Sequence, residues 1–399
     1  MALEGGPVIV DTLSASSTRR PDRSTSAPGW LQVWRERWRD WRNRMVADPA
    51  FQRRAAAFGP TRRFVRRDAA ALFDLMAGFV YSQVLLSCVR LRLFERLADG
   101  PCPVPRLVQA TGLDEDALRR LLAAAVAVQL LDWRQGDRVA LGRLGAPLPA
   151  QPGLLAMVEH HATLYADLAD PLALLRRDRP AAMAAYWPYA DHGAATANLA
   201  ATDVAAYSEL MTASQALVTQ EVLAAYDLRV HRVLLDVGGG EGAFLVAAAQ
   251  AAPQLSVQLF DLPAVAQRAQ ARFDAAGLQG RSRIHGGDFF NDPLPTGADV
   301  VSLVRVAFDH PDHRVLQLLR NVRRALPPGG CLLLAEPMAG ERGAEAMGDA
   351  YFGLYLLAMG RGRPRTADEL SALMREAGFT DVRRVRTRMP LQTGLLVAR

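Results

Sequence analysis

One stretch constrains this chain more than any other: Leu234-Leu235-Asp236-Val237-Gly238-Gly239-Gly240-Glu241-Gly242. It encodes a strand ending in an acid, a turn built of glycines, and a helix that begins near Ala243. Glycines accept positive φ and let a ligand approach the backbone closely. A helix N-terminus that follows such a turn favours negative groups. Gly238, Gly240 and Ala243 fit the G-x-G-x-x-G spacing only loosely, with alanine last, so the turn alone is weak evidence for a nucleotide.

The sequence after this turn keeps alternating strand and helix. Strands are expected at Val233–Val237, Val257–Phe260, Ser282–His285, Val300–Val304, Cys331–Ala335, Val382–Arg386 and Leu391–Val397. That pattern specifies an α/β fold, a doubly wound Rossmann-like sheet with an antiparallel pair at its end. The second strand narrows the ligand. It ends in Asp261, 25 residues after Asp236, where a carboxylate accepts hydrogen bonds from both ribose hydroxyls. NAD and S-adenosylmethionine both offer a ribose there. Asp236 repels a pyrophosphate but suits an ammonium group and a sulfonium. The third strand ends in Gly287-Asp288-Phe289-Phe290, an acid and an aromatic that suit the adenine amino group and ring face. Each acid alone could equally be a helix cap or a turn residue.

At 399 residues the chain is too long for this domain alone. Residues 1–29, rich in Ser, Thr, Pro and Gly, read as a disordered tail, and no signal peptide is expected. Residues 30–67 carry 11 arginines against three acids, a local charge of +8, and Trp30, Trp34, Trp38 and Trp41 fall on one narrow helical face. Such a segment suits a peripheral membrane surface, with indoles at the headgroups and arginines on anionic lipid. It suits equally well tryptophans packed on the protein body or on a partner subunit. Residues 68–150 read as a winged helix: a long helix Leu72–Leu97, a short one at Val104–Ala110, a turn at Thr111-Gly112-Leu113, a helix Asp116–Leu131 and a wing at Asp132–Leu144. Its recognition helix offers only Arg119 and Arg120, so dimerisation is expected rather than nucleic-acid binding. Residues 151–226 form a helical linker in which His160, His161, Tyr165, Tyr186, Trp187, Tyr189 and His192 cluster, as core or as the wall of an apolar pocket. Residues 227–399 are the α/β domain. The longest uncharged stretch, Gly242–Phe260, contains Pro253 and polar residues, so no spanning helix is expected. Three scattered cysteines suit a reducing compartment and no metal site.

Residues 75–399 resemble the plant-type O-methyltransferase family. The matching pieces are LLDVGGGEGAF, LFDLPAV, GGDFF, DHPDHRVLQLLRNVRRALPPGG, LLLAEPM and GRPRTADELSALMREAGF. The resemblance implies an N-terminal winged-helix-like dimerisation domain, a homodimer, S-adenosyl-L-methionine as cofactor and no metal. By the match, Asp236, Gly238 and Gly240 line the methionine part, Asp261 the ribose, and Asp288 and Phe289 the adenine. Arg305 joins this cofactor set. The pocket set is His161, Tyr165, Trp187, Phe308, Phe352, Tyr355 and Met359.

The family's histidine base falls on Phe308 in the run Phe308-Asp309-His310. One of the family's orienting glutamates matches Glu336, and the other falls on Pro364. The expected catalytic set is therefore His310, with Asp309 as fallback, and Glu336. His310 could instead stack at the adenine. Residues 38–190 further resemble the bacterial acyclic-carotenoid O-methyltransferases of the hydroxyneurosporene or demethylspheroidene type, through stretches such as MVEHHATLYADLADPLALLR and YWPYA. This implies methylation of a tertiary 1-hydroxyl on a lipophilic acceptor by a cytoplasmic enzyme that contacts the membrane periphery. The alternatives are a phenolic, polyketide or quinone hydroxyl as acceptor, or a non-catalytic winged-helix regulator that senses a ligand.

Overall fold

The structure, a computed structural model, describes residues 30–186, 215–390 and 393–399. Two compact units divide at Val80/Tyr81.

The described part of the first unit is helical. Helix α1 spans Trp30–Ala47 and buries none of its residues. Its tryptophans Trp30, Trp34, Trp38 and Trp41 are 76%, 61%, 47% and 53% exposed. Asp48 accepts a hydrogen bond from Ala50 N (2.8 Å) and caps α2, Pro49–Ala57. Helix α3 runs Gly59–Arg90, across the unit boundary. It begins 13 residues before the expected Leu72 and stops where Arg92 takes φ +54°. By length and composition it is the one described helix that could cross a membrane. Asp74 interrupts its apolar stretch, so no long uncharged run marks this helix in the sequence. Its last residues, Val84, Leu86, Cys88 and Val89, belong to the buried core of the second unit.

That core is the winged-helix layer. It comprises α4 (Leu93–Arg96), β1 (Cys102–Pro103), α5 (Val104–Thr111), α6 (Glu115–Ala127), β2 (Leu131–Arg134) and β3 (Arg138–Leu141). The three short strands form one antiparallel sheet in the order β1-β3-β2. Helix α5 ends on Gly112 at φ +72°, and Asp114 caps α6. Arg119 on α6 pairs with Glu115 (2.8 Å) and Asp137 (2.6 Å), and Arg120 pairs with Asp116 (2.9 Å). Both arginines of the would-be recognition helix thus face acids of their own chain. The linker follows as α7 (Pro152–Leu168), α8 (Pro171–Arg176), α9 (Ala182–Tyr186) and a helical stretch at 215–225. Trp187, Tyr189 and His192 lie outside the described residues.

The second, larger sheet has seven strands: β4 (Val233–Val237), β5 (Ser256–Asp261), β6 (Ser282–Gly286), β7 (Val300–Val304), β8 (Cys331–Glu336), β9 (Val382–Val385) and β10 (Gly394–Ala398). Their order is β6-β5-β4-β7-β8-β10-β9. The first five are parallel, and β10 runs antiparallel to both β8 and β9. β7 and β8 are buried along their whole length, as strands covered on both faces must be. Helices α10 (Ala243–Ala251), α11 (Pro263–Ala275), α12 (Asp312–Ala325), α13 (Phe352–Ala358) and α14 (Ala367–Glu376) complete the domain. The strand order reverses at β4. A doubly wound sheet binds its ligand outside the carboxyl ends of the strands at such a point.

Candidate active site

Asp236, Asp261, Asp288 and Glu336 all lie at or just beyond those carboxyl ends. The turn after β4 is shaped by its glycines. Gly238 takes φ +70°, and a Cβ there would sit 2.9 Å from Val306 Cγ2. Gly240 takes φ +60° and has open space where a side chain would stand. Its N–H donates to Asp261 Oδ2 (2.7 Å), while Leu262 N–H donates to Asp261 Oδ1 (2.7 Å). Asp261 therefore holds the glycine turn, and each of its oxygens still has a lone pair for a ligand hydroxyl.

Asp236 is buried. Its Oδ1 accepts from Ser302 Oγ (2.6 Å), and its Oδ2 has no hydrogen-bond partner. That free oxygen lies under Gly239, where a Cβ would collide with it. Burial pushes Asp236 up to about 7, helped by the nearby Asp261 charge and opposed by the Ser302 hydrogen bond. Burial raises Asp261 to about 6 against its two N–H donors. A carboxylate raised in this way binds a proton in the native state that the unfolded chain has released above about pH 4. The stability that it contributes is therefore present below the unfolded pKa and is lost as pH rises towards 7. Asp236→Asn should flatten the fall in urea midpoint between pH 4.5 and 7 in ligand-free protein. A fall as steep as that of the wild type would assign the proton elsewhere.

Beyond β6, Asp288 accepts from Phe290 N (2.8 Å) and Asn291 Nδ2 (2.6 Å), the turn role that a lone acid can play. His310 joins this side of the site. Its ring meets Phe290 edge-on at 4.9 Å and Phe289 at 5.7 Å between centroids. The sequence offered His310 as a base two places along from Phe308. Its imidazole instead stands in the Phe289/Phe290 cluster, the surroundings that fit the stacking role. The cause is the 3-10 turn Ala307–Asp309, which sends neighbouring side chains to different clusters.

That turn is held from below. Glu336, at the end of β8, is fully buried and accepts from Phe308 N (2.9 Å) through Oε2, while Oε1 has no partner. Burial raises it to about 7. Asp309 is also buried and is held far above the carboxylate range, with Arg305 opposing and Glu336 reinforcing that shift. Arg305, expected among the cofactor residues, takes φ +60° and donates its N–H to Ala335 O (2.8 Å). A left-handed conformation at a non-glycine residue is the kind of strain that collects at active sites. Arg365 was not foreseen. Its guanidinium is 0% exposed and donates to Ala307 O (3.0 Å), His310 O (2.6 Å) and Asp312 Oδ1 (2.8 Å).

Phe308 faces away from the nucleotide side. It packs with Leu164, Leu174, Met183, Tyr355 and Met359 in one buried cluster. Its ring meets Phe352 at 5.9 Å, Phe352 meets Tyr351 at 4.9 Å, and Tyr351 stacks on Tyr355 at 5.6 Å. Tyr351 was also missed by sequence reasoning. The histidines of α7 complete the wall: His160 Nε2 lies 3.1 Å from Tyr355 Oη, His161 Nε2 lies 2.6 Å from Tyr351 Oη, and His161 meets Tyr165 at 6.3 Å. The structure thus brings together every expected pocket residue that it describes. Among the described residues, no three His, Cys, Asp or Glu side chains are grouped to hold a metal ion.

The chain matches known proteins over most of its length. Residues 165–380 match the family model described as the O-methyltransferase domain, and residues 73–145 that of the O-methyltransferase dimerisation domain. The chain is 44% identical over 340 residues to the demethylspheroidene O-methyltransferase of Cereibacter sphaeroides, covering 85% of this chain and 89% of that protein. It is 43% identical to the enzyme of the same name from Rhodobacter capsulatus, covering 84% and 83%. Among solved structures, CalO1, a methyltransferase of calicheamicin biosynthesis in its SAH-bound form, superposes with a TM-score of 0.67 at 29% identity, covering 83% of this chain and 98% of that one.

Proposed function

The chain belongs to the O-methyltransferase family, and from that premise we propose that it methylates the tertiary 1-hydroxyl of acyclic hydroxycarotenoids, with S-adenosyl-L-methionine as donor. The observation that carries the acceptor class is the 44% identity, spread over 85% of the chain, to a demethylspheroidene O-methyltransferase. The site supports it. The wall around Phe308 is mainly aliphatic and aromatic, with the polar pairs His160–Tyr355 and His161–Tyr351 at its edge, which suits an apolar polyene that carries a hydroxyl.

The donor fits the residues present. An unpartnered buried oxygen on Asp236, spare lone pairs on Asp261 and open space at Gly240 meet a ligand with a cationic amino-acid end and a ribose. When bound, it supplies an electrophilic methyl group on a sulfonium. Asp261 would hold the ribose hydroxyls. Asp288, Phe289 and His310 would bracket the adenine, and Asp236 would offer its unpartnered carboxyl oxygen towards the cationic amino-acid end. Phe308, Phe352 and Met359 would exclude water and align the acceptor. Alignment is itself a large part of the acceleration in such a displacement.

Labelled S-adenosylmethionine, offered with hydroxylated acyclic carotenoids and separately with phenols, tests this reading. Label should enter the carotenoid ether. Transfer to phenols alone would replace the acceptor, and transfer to neither would favour a ligand sensor.

We further place the enzyme as a homodimer, through the family's dimerisation domain, at the surface of the membrane that holds its substrate. The exposed tryptophans of α1 and the +8 charge of residues 30–67 support the membrane contact. The full chain should sediment with anionic vesicles at low salt and less in high salt, where screening weakens the charge contribution. Replacing Trp30, Trp34, Trp38 and Trp41 with alanine should abolish sedimentation. Unchanged sedimentation would remove the stripe from the membrane.

A further inference from the structure

If Phe308 stands where the family places its base, another group must receive the acceptor's proton. The geometry points to Tyr351 and His161 as that group, a phenol–imidazole pair in which Tyr351 meets the acceptor hydroxyl and His161 stands behind it. This rests on the reading of the chain as a hydroxyl methyltransferase.

Four observations converge on the pair. Tyr351 Oη and His161 Nε2 are 2.6 Å apart, although 190 residues separate them in sequence. Tyr351 lies only one ring beyond Phe308, through Phe352. It ends a π-helical turn, Ala346–Tyr351, immediately before α13, and such turns are frequent at functional sites. Both residues are partly open, whereas the neighbouring pair, His160 and Tyr355, is buried in the core. The other titratable or charged groups facing the pair are Tyr165 and His160 on α7, Tyr355 on α13 and Arg305 at the end of β7.

The step balances. The acceptor oxygen forms the new C–O bond as the donor C–S bond breaks, its electron pair staying on sulfur. The hydroxyl proton passes to Tyr351 Oη, and the tyrosine proton passes to His161 Nε2. The positive charge lost from the sulfonium reappears on the imidazolium, so the buried site keeps its net charge. His161 then releases its proton to solvent between turnovers. This direction requires His161 to carry its resting proton on Nδ1. Burial lowers His161 from its ordinary value, which keeps the imidazole neutral at pH 7. A weak base suffices, because an oxygen that has gained a methyl group while keeping its proton is a strongly acidic oxonium.

Tyr351→Phe keeps the ring stack and deletes only the hydroxyl. Its kcat should fall by about 10²-fold or more, within the usual range for general-base assistance. The KM for acceptor and the calorimetric affinity for S-adenosylhomocysteine should stay near wild type. Wild-type kcat should rise with pH along an acid limb centred below 6.5, and His161→Gln should lose that limb. A purely structural role would leave the limb in place. A Tyr351→Phe enzyme with kcat within twofold of wild type, or a His161→Gln enzyme that retains the acid limb, would overturn the assignment. If Tyr351→Phe melts early, the His161→Gln profile decides. Both variants are assayed on whichever acceptor the wild type methylates, so a wrong acceptor class is seen in the wild type and the pair is judged separately. An NMR titration of wild-type protein bound to S-adenosylhomocysteine gives a reading without turnover. It should find the Nδ1–H tautomer at His161, and an Nε2–H tautomer would reject the relay.

Discussion

Asp261→Ala should weaken S-adenosylmethionine binding by about 10²- to 10⁴-fold in calorimetry. By the proposed placement of the ribose, two charge-assisted hydrogen bonds would be lost, each worth roughly 1.5–3 kcal/mol, and about 1.4 kcal/mol is a factor of ten in affinity. The substitution also strips Gly240 N–H and Leu262 N–H of their acceptor, so the glycine turn loses its anchor. Asp261→Asn should lose less, because an amide oxygen still accepts one of these N–H groups. An affinity unchanged in the alanine variant would take Asp261 out of the site.

The second large effect is expected at Arg365. Arg365→Ala leaves two backbone carbonyls, Ala307 O and His310 O, without their donor beneath the loop, and it opens a cavity where the guanidinium lay. Each buried carbonyl left unsatisfied costs about 1–3 kcal/mol, so about 3–5 kcal/mol is expected for the two together. For a domain the size of residues 227–399, each kcal/mol shifts the melting temperature by roughly 2–4 °C. Scanning calorimetry should therefore find a drop on the order of 10 °C, taking about 3 °C per kcal/mol. Arg365→Lys should recover only part of it, because a point ammonium cannot replace the planar fork that reaches three acceptors. A melting temperature equal to wild type would show that the loop holds its shape without this side chain. The same loop carries Phe308 and His310, so the destabilised variant should also bind cofactor more weakly.

The candidate site was legible in the sequence where its residues sit at the ends of strands. Asp236 and Asp261 close apolar strand runs, Asp288 lies two residues past the mostly polar strand Ser282–Gly286, and the glycine turn shows its own need for positive φ. His310 was legible as a candidate residue but its surroundings were not, because two residues in a tight turn can face opposite walls. Tyr351 and Arg365 gave no comparable signal. Tyr351 is one aromatic among several near Phe352, and Arg365 is one arginine in the run Arg361-Gly362-Arg363-Pro364-Arg365, where an exposed and a fully buried guanidinium look alike. The long apolar helix was only partly read, since Asp74 broke the uncharged run while its backbone stayed helical from Gly59 to Arg90.

The sequence by itself determined the strand–helix alternation, the parallel sheet, the glycine turn and the acids at the strand ends. These follow from near-neighbour rules: side-chain periodicity, turn chemistry and the φ that only glycine adopts freely. Tertiary structure alone decided which polar groups are buried and what they meet. It set His161 against Tyr351 across 190 residues, folded Arg365 under the loop, and turned His310 towards Phe289 and Phe290 while Phe308 packed into the apolar cluster of Leu164, Tyr355 and Met359. The physical reason is that burial and long-range pairing depend on how whole elements pack, and no local window of residues carries that information.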